Sequence, residues 1–484
     1  MLGSLRAACD EMGAVLVRSA HSANIKERRD ASTALFDPEG QMVMQAEHIP
    51  VHLGAMPSAV AAVLGEEQRP GESWVLNDPY RGGTHLPDIT VITPLFHDGE
   101  PVGFAASRAH HADVGGEEPG SMPAFSRTLD DEGVVIPPTR LTDEVLRELA
   151  ARMRNPRQRE ADLRAQLAAA RAGGERVGAL IERFGIGDFR AGLRETLDYA
   201  ERRTRARIAE LEDGTYGAAD VLEGADGDLA LKLSARVDGD RMELDFTGSA
   251  GQHDGNLNCP LAVTLSACYF ALRVLTDPDV PPCAGAYRPL KVTVPEGSLL
   301  NARPPAAVVA GNTETSSRVA DLVLKAFGRA LGQGTMNNVA LGNNDFTYYE
   351  TLGGGQGACP DADGPSAVHV AMSNTLNTPV EALELEFPLR AVEYAVRRGS
   401  GGSGKHRGGD GVIRELEALE EIDYSLATER RRHAPPGAEG GEPGAPGRNL
   451  LNGDELPPKA SGALGPGDRL RIETPGGGGF GRTT

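Results

Sequence analysis

Asn77–Ser121 reads NDPYRGGTHLPDITVITPLFHDGEPVGFAASRAHHADVGGEEPGS, and two strand-forming runs inside it set the expected architecture. Ile89–Phe96 (ITVITPLF) and Pro101–Ser107 (PVGFAAS) are rich in strand formers, and His97-Asp98-Gly99-Glu100 between them centres on Asp-Gly. Asp-Gly tolerates the positive φ that tight hairpin turns demand, so the stretch predicts an antiparallel hairpin. A two-residue turn at Asp98-Gly99 pairs Asp88 with Ala109 and puts His110 next to it. His85 and Asp88 precede the first strand, and His110 and His111 follow the second. Imidazoles and a carboxylate thus meet at the open mouth of one hairpin, which is a rigid way to build a metal site.

Two imidazoles and one carboxylate suit a divalent ion that keeps positions open for water or substrate. Pro87 disfavours a helix through His85-x-x-Asp88, so these ligands belong on a turn. The alternative is that His85 and Asp88 only satisfy loop backbone groups. Spacing does not separate His110 from His111; if the strand persists they face opposite ways, and one of the two is the ligand.

Upstream, Leu5, Ala8, Met12, Val15, Leu16 and Ser19 fall on one face of an expected opening helix over residues 1–22. Ser32–Phe36 and Gln41–Gln45 flank Asp37-Pro38-Glu39-Gly40 and read as a second hairpin. It carries Glu27 and Asp30 at one end towards Glu47, His48 and His52 at the other. Seven of the eleven histidines (His21, His48, His52, His85, His97, His110, His111) lie in the first 111 residues, which favours a polar site there.

Downstream, residues 142–213 turn Ala-, Arg-, Glu- and Leu-rich and predict helices over Arg154–Ala172 and Phe189–Leu211, punctuated by Gly173-Gly174 and Gly185–Asp188, with Asp188 as an N-cap. Beyond Gly214, a hairpin of Leu229–Val237 and Arg241–Phe246, a helix over Val263–Leu275, a strand at Leu290–Val294 and a helix over Ser317–Leu331 are expected. The rest is rich in Gly and short strands, with Pro435–Gly447 expected as an exposed loop and Gly476–Gly479 as a flexible tail. The fold class is mixed α+β, multidomain and hairpin-rich with a helical insertion. The expected divisions are 1–141 with the metal hairpin, 142–213 helical, 214–395 central α+β, and 396–484 glycine-rich β.

A formal net charge of -20 argues against nucleic acid or an anionic membrane as partner. No apolar run is long enough to span a membrane, and the N-terminus lacks the core of a secretory signal, so a cytoplasmic protein is expected. Five cysteines without a C-x-x-C pair are expected as reduced, structural thiols. Gly399–His406 (GSGGSGKH) mimics the spacing of a phosphate loop but has His406 where a hydroxyl would hold magnesium, so it reads as a glycine loop and not a nucleotide site.

The hairpin stretch, with SANIKERRDASTALFDPEGQMVMQAEHIPVHLGAMP, GNTETSSRVAD, TMNNVALGN, YYETLGGGQGA, SNTLNTPVEALE, GSGGSGKHRGGDG and TPGGGGFG, resembles the hydantoinase B/oxoprolinase family from the first helix to the last ten residues. That resemblance implies the B-type subunit of an ATP-dependent hetero-oligomer that opens a cyclic amide, a hydantoin or a 5-oxoproline-like lactam. Its partner would be a hydantoinase A-type ATPase subunit, which uses the ATP and phosphorylates the substrate carbonyl. Alternatives are a subunit of an acetone- or acetophenone-type carboxylase, and a scaffold that only supports the ATPase. The resemblance also implies a divalent metal, manganese before zinc or iron, on His85, Asp88 and His110, which selects His110 over His111. His111 is then a proton-transfer candidate, and Glu27, Asp30 and His52 are candidates for acid/base or positioning roles.

Overall fold

The computed structural model describes residues 1–47 and 49–483, and His48, expected near the site, lies outside the described residues. The quoted stretch forms the middle of a six-stranded antiparallel sheet. Its strands are β1 (Ala31–Phe36), β2 (Met42–Glu47), β3 (Trp74–Leu76), β4 (Asp88–His97), β5 (Glu100–His110) and β6 (Thr139–Arg140), in the order β2-β1-β5-β4-β3-β6. β1 and the mouth-proximal parts of β4 and β5 are buried at nearly every position. Burial along whole strands is what a sheet covered on both faces shows, and here it takes in polar Ser32, Thr33, Thr90 and Arg108 as well as apolar residues. The opening helix Leu2–Ser19 packs on the long helix Pro156–Phe184, and the long helix packs on β4 and β5.

That long helix corrects an expectation. Gly173-Gly174 does not end it; the helix runs unbroken to Phe184 and stops at Gly185, which takes φ +80°. The reason is packing: a Cβ on Gly173 would sit 2.6 Å from Met12 Sδ of the opening helix, so glycine here allows close approach of two helices. The next helix is Ile186–Ile208, with Asp188 in its first turn and Gly185 at its N-cap position, where Asp188 was expected.

A second sheet, ordered β10-β9-β8-β7, holds β7 (Gly214–Gly224), β8 (Gly227–Asp238), β9 (Arg241–Asp245) and β10 (Leu290–Thr293). The helix Ser316–Ala326, preceded by a π-turn over Gly311–Thr315, packs on β7 and β8, and the helix Leu261–Leu275 packs on that helix. A third sheet joins β11 (Asn338–Gly342) and β12 (Thr347–Glu350) to β15 (Ile422–Ala427) and β18 (Lys459–Leu464), so residues on both sides of position 395 share it. The fourth holds β13 (Leu389–Arg397), β14 (Gly411–Ala418), β16 (Arg448–Leu451), β17 (Asp454–Leu456) and β19 (Arg469–Glu473). The fold is mixed α+β with several sheets.

Gly476–Gly479 is no flexible tail. All four residues are buried, and a Cβ on them would lie 2.0, 2.0, 2.2 and 2.2 Å from the carbonyl oxygens of Ser400, Gln356, Pro436 and Ser403. Side-chain-free backbones therefore stack against one another. Gly402 N donates to Gly477 O at 2.9 Å, Gly477 N to Gly409 O at 2.9 Å, and Gly479 N to Glu442 O at 2.9 Å. The GSGGSGKH loop is one wall of this bundle. Pro435–Gly447 is another: Pro435, Gly444 and Gly447 are buried, so the segment is only partly the exposed loop that its composition suggests. Among the described residues no helix is long and apolar enough to cross a membrane. Cys9, Cys259, Cys268, Cys283 and Cys359 form no disulfides.

Candidate metal centre

Asp98 and Gly99 take φ +50° and +80°, the pair of positive values that the tight turn needs. His97 pairs with Glu100 and Phe96 with Pro101, as the turn dictates, but the register then shifts, and Leu95 pairs with Gly103. Beyond the bulge, Asp88 faces His110 and not Ala109. Gly103 makes this possible: its φ is +145°, and a Cβ there would stand 2.1 Å from Phe36 O on β1. One extra residue on a strand moves all later side chains to the other face, and here it turns His110 towards Asp88.

Three ligand atoms, one each from His85, Asp88 and His110, lie within 4.8 Å of one another in a buried cluster. His85 Nε2 is 3.4 Å from Asp88 Oδ2, and the His85 and His110 rings meet edge to face at 5.0 Å. His85 sits on the turn that the preceding Thr84 and following Pro87 shape, and Thr84 Oγ1 donates to Asp88 Oδ2 at 2.6 Å. Tyr349 of β12 stacks on His110 at 4.8 Å, and the Arg28 guanidinium lies over the other side of Tyr349 at 4.8 Å.

His52 joins the cluster. It ends a 3₁₀ turn, Pro50–His52, and its Nε2 is 3.3 Å from Asp88 Oδ2 while Nδ1 is 2.9 Å from Ser32 Oγ on β1. Asp30 lines the same small cavity beside His52, Asp88 and His110, with Arg28 at 3.9 Å. The other candidates are elsewhere. His111 Nε2 donates to Gln166 Oε1, 3.0 Å away on the long helix, so its ring is committed on the opposite face from His110. Glu27 is half-buried at the end of the short helix Ala23–Lys26 and faces Glu386. Neither stands with the triad, because strand alternation and the end of a helix point them away.

Burial alone would raise the Asp88 carboxyl, but His85 and His52 beside it outweigh that and hold it well below the ordinary carboxylate range. Burial, with His85 adjacent, holds His110 well below the ordinary histidine value, so it is a neutral imidazole with a lone pair to give. Burial raises Asp30 despite Arg28.

The donor set fits a divalent ion. Both ring nitrogens of His85, His110 Nε2 and Asp88 Oδ1 are buried without hydrogen-bond partners, which is expensive unless something ligates them. The cavity beside them is about 10 Å³, roughly the space of one water-sized sphere. It takes an ion or a water and excludes a ring.

Other residues of the centre escaped sequence reading. Asn24 Nδ2 lies 3.2 Å from His110 Nδ1. Arg28 donates to Tyr349 O, Thr351 Oγ1 and Thr375 Oγ1, tying the start of β1 to a segment more than 300 residues away. Asn312 and Thr313 of the π-turn line the cavity. Their only sequence signal was the clustering of polar residues in GNTETSSRVAD and YYETLGGGQGA, which does not say what they face.

The family model described as Hydantoinase B/oxoprolinase matches residues 1–483. The 5-oxoprolinase 1 of Arabidopsis thaliana is 40% identical over 98% of this chain, which spans 40% of that protein's length. The B-type subunit of a putative D-/L-hydantoinase from Pseudomonas sp. (strain NS671) is 31% identical over 99% of this chain and 89% of its own. The crystal structure of ATP-dependent caprolactamase from Pseudomonas jessenii superposes with a TM-score of 0.92 at 28% identity, covering 99% of this chain and 90% of that one.

Proposed function

The chain belongs to the hydantoinase B/oxoprolinase family, and from that premise we propose that it is the metal-binding B-type subunit of an ATP-dependent complex that hydrolyses a cyclic amide. The observation that carries the reading is the buried, unpartnered donor set of His85, Asp88 and His110. The named relatives act on 5-oxoproline, hydantoins and caprolactam, which share an amide within a ring.

In this reading His85, Asp88 and His110 hold a divalent ion, manganese before zinc or iron. Such an ion supplies Lewis-acid polarisation and water of lowered pKa. His52 and Thr84 hold Asp88 Oδ2 from two sides, and Oδ1, which has no hydrogen-bond partner, would be free to ligate. With its amide turned to present Oδ1, Asn24 accepts from His110 Nδ1–H and leaves Nε2 to ligate. Tyr349 and Arg28 close the back of His110 and keep bulk water out. Asp30, with its carboxyl raised by burial, lines the ion cavity and is placed to hold a proton there. ATP is spent on a hydantoinase A-type partner that activates the ring carbonyl by phosphorylation.

Metal analysis of purified chain, coupled to ATP-dependent ring opening in complex with the A-type partner, tests the proposal. Stoichiometric divalent metal in the native chain, and its loss together with activity in His85→Ala, is the expected result. Metal-free native protein with full activity in the complex overturns it.

A further inference from the structure

The ion cavity is too small for a ring, so a cyclic substrate needs room next to it. That room exists on the far side of the Pro50–His52 turn. Ile49, Val51 and His52 line the ion cavity, while Pro50 and Leu53 line a cleft of about 400 Å³. Ligand pockets commonly measure roughly 300–1,000 Å³. The opposite wall is shared in the same way: Ser373 faces the cleft, and Thr375, two residues on, bonds Thr351 of the ion cavity at 2.7 Å. The Ile49–Leu53 segment therefore borders both spaces, and Ser373–Thr375 runs from the cleft to a residue of the ion cavity.

The cleft is amphipathic in an ordered way. Leu53, Phe270, Val274 and Val370 give it apolar walls. His369 lies in the other wall, with Nδ1 hydrogen-bonded to Ser373 Oγ and Nε2 buried without a partner. A buried imidazole nitrogen left unpaired is costly unless a ligand meets it. Burial also lowers His369 to about 4, so the ring is neutral at neutral pH and can donate or accept one hydrogen bond. Arg273 also lines the cleft and donates to Pro278 O. Methylene edges against the apolar wall and an amide against His369 match a small lactam.

We propose that this cleft is a holding site for the ring of a cyclic amide beside the ion cavity, with His369 Nε2 hydrogen-bonded to the ring amide. The assignment rests on the cyclic-amide reading above and adds the place and the residue that hold the substrate.

Ligand-observed NMR on the purified full chain tests it, with 5-oxoproline, hydantoin and caprolactam as separate probes. At least one probe is expected to bind the native chain. Binding should weaken roughly tenfold in His369→Gln, the loss of one well-made hydrogen bond, and disappear in Val274→Trp, which fills the cleft from its exposed rim. Melting temperature and metal content should stay native in both. His85→Ala should still bind the probe, because it empties the ion site and not the cleft. No binding by the native chain, or binding undiminished in both cleft variants, overturns the proposal. A failed metal reading alone would show in His85 and metal analysis and leave these binding results unchanged.

Discussion

Asp88 and His110 are direct cross-strand partners on β4 and β5, and they are so only because Gly103 lets β5 bulge against the Phe36 carbonyl. A side chain at position 103 meets backbone at 2.1 Å in a region of φ that L-residues avoid. Gly103→Val is expected to lower stability by about 3 kcal/mol or more, and to abolish metal retention in whatever folded fraction remains. Thermal melting and metal content on the same sample check both.

His52 and His111 are both buried histidines close in space to the triad, yet they predict opposite outcomes. His52 orients Asp88, and removing such a supporting partner typically weakens metal affinity roughly 10–100-fold. His52→Ala should show that loss in competition with a chelator. His111→Ala should keep native metal affinity while melting at a lower temperature, because its partner is Gln166 and not a ligand.

Asn24 offers a sharper probe of the same support. An ion on His110 Nε2 requires the proton on Nδ1, so the Asn24 amide turns to present Oδ1 as acceptor where Nδ2 is placed. Asn24→Asp should therefore retain the metal, and Asn24→Leu should lose affinity by roughly 10–100-fold. Equal affinities for the two variants would contradict ligation through Nε2.

Glu314 carries a pH signature. Burial pushes its carboxyl up to about 7, more than hydrogen bonding from the Thr335 side chain and Met336 N and the nearby Lys459 charge bring it down. A raised carboxyl means that the folded state holds the extra proton between the ordinary carboxylate range and neutrality. Its contribution is thus full at low pH and is lost as pH rises through about 7. Glu314→Gln should remove that slope and gain on the order of 2 kcal/mol over the native chain at pH 8 relative to pH 5. Denaturant melts of both proteins at the two pH values give the difference directly.

Gly477 tests the glycine bundle. A methyl group there would lie 2.0 Å from Gln356 O, a backbone atom that cannot swing aside. Gly477→Ala should destabilise by about 4 kcal/mol or more, whereas Ala in a flexible tail would change nothing. Gly453→Ala, in a turn where a Cβ meets nothing within 4 Å, serves as a control limited to its φ of +92°.

The hairpin and its turn type were legible in the sequence because local rules, strand formers and Asp-Gly, decide them; spacing left His110 and His111 open, and only the family resemblance chose His110. The bulge was not legible, since what makes Gly103 necessary is the Phe36 carbonyl on a strand 67 residues earlier. Gly173 was misread for the same reason; in isolation a glycine pair weakens a helix, and only Met12 across the interface explains its place. Strand β7 passed unnoticed because its residues alternate exposure weakly and include Gly214, Gly217 and Gly224. Asn24, Arg28 and Tyr349 converge on His110 from far-apart segments, so no spacing rule could have gathered them.

The glycine bundle has a consequence for how the molecule opens. Its strands come from residues near 356, 402, 409, 442 and 477, and their amides are bonded to one another's carbonyls without any side chain between them. None can withdraw without exposing the others' peptide groups. In amide hydrogen exchange these five distant segments should behave as one opening unit with a common protection factor, slower than the strand edges around them.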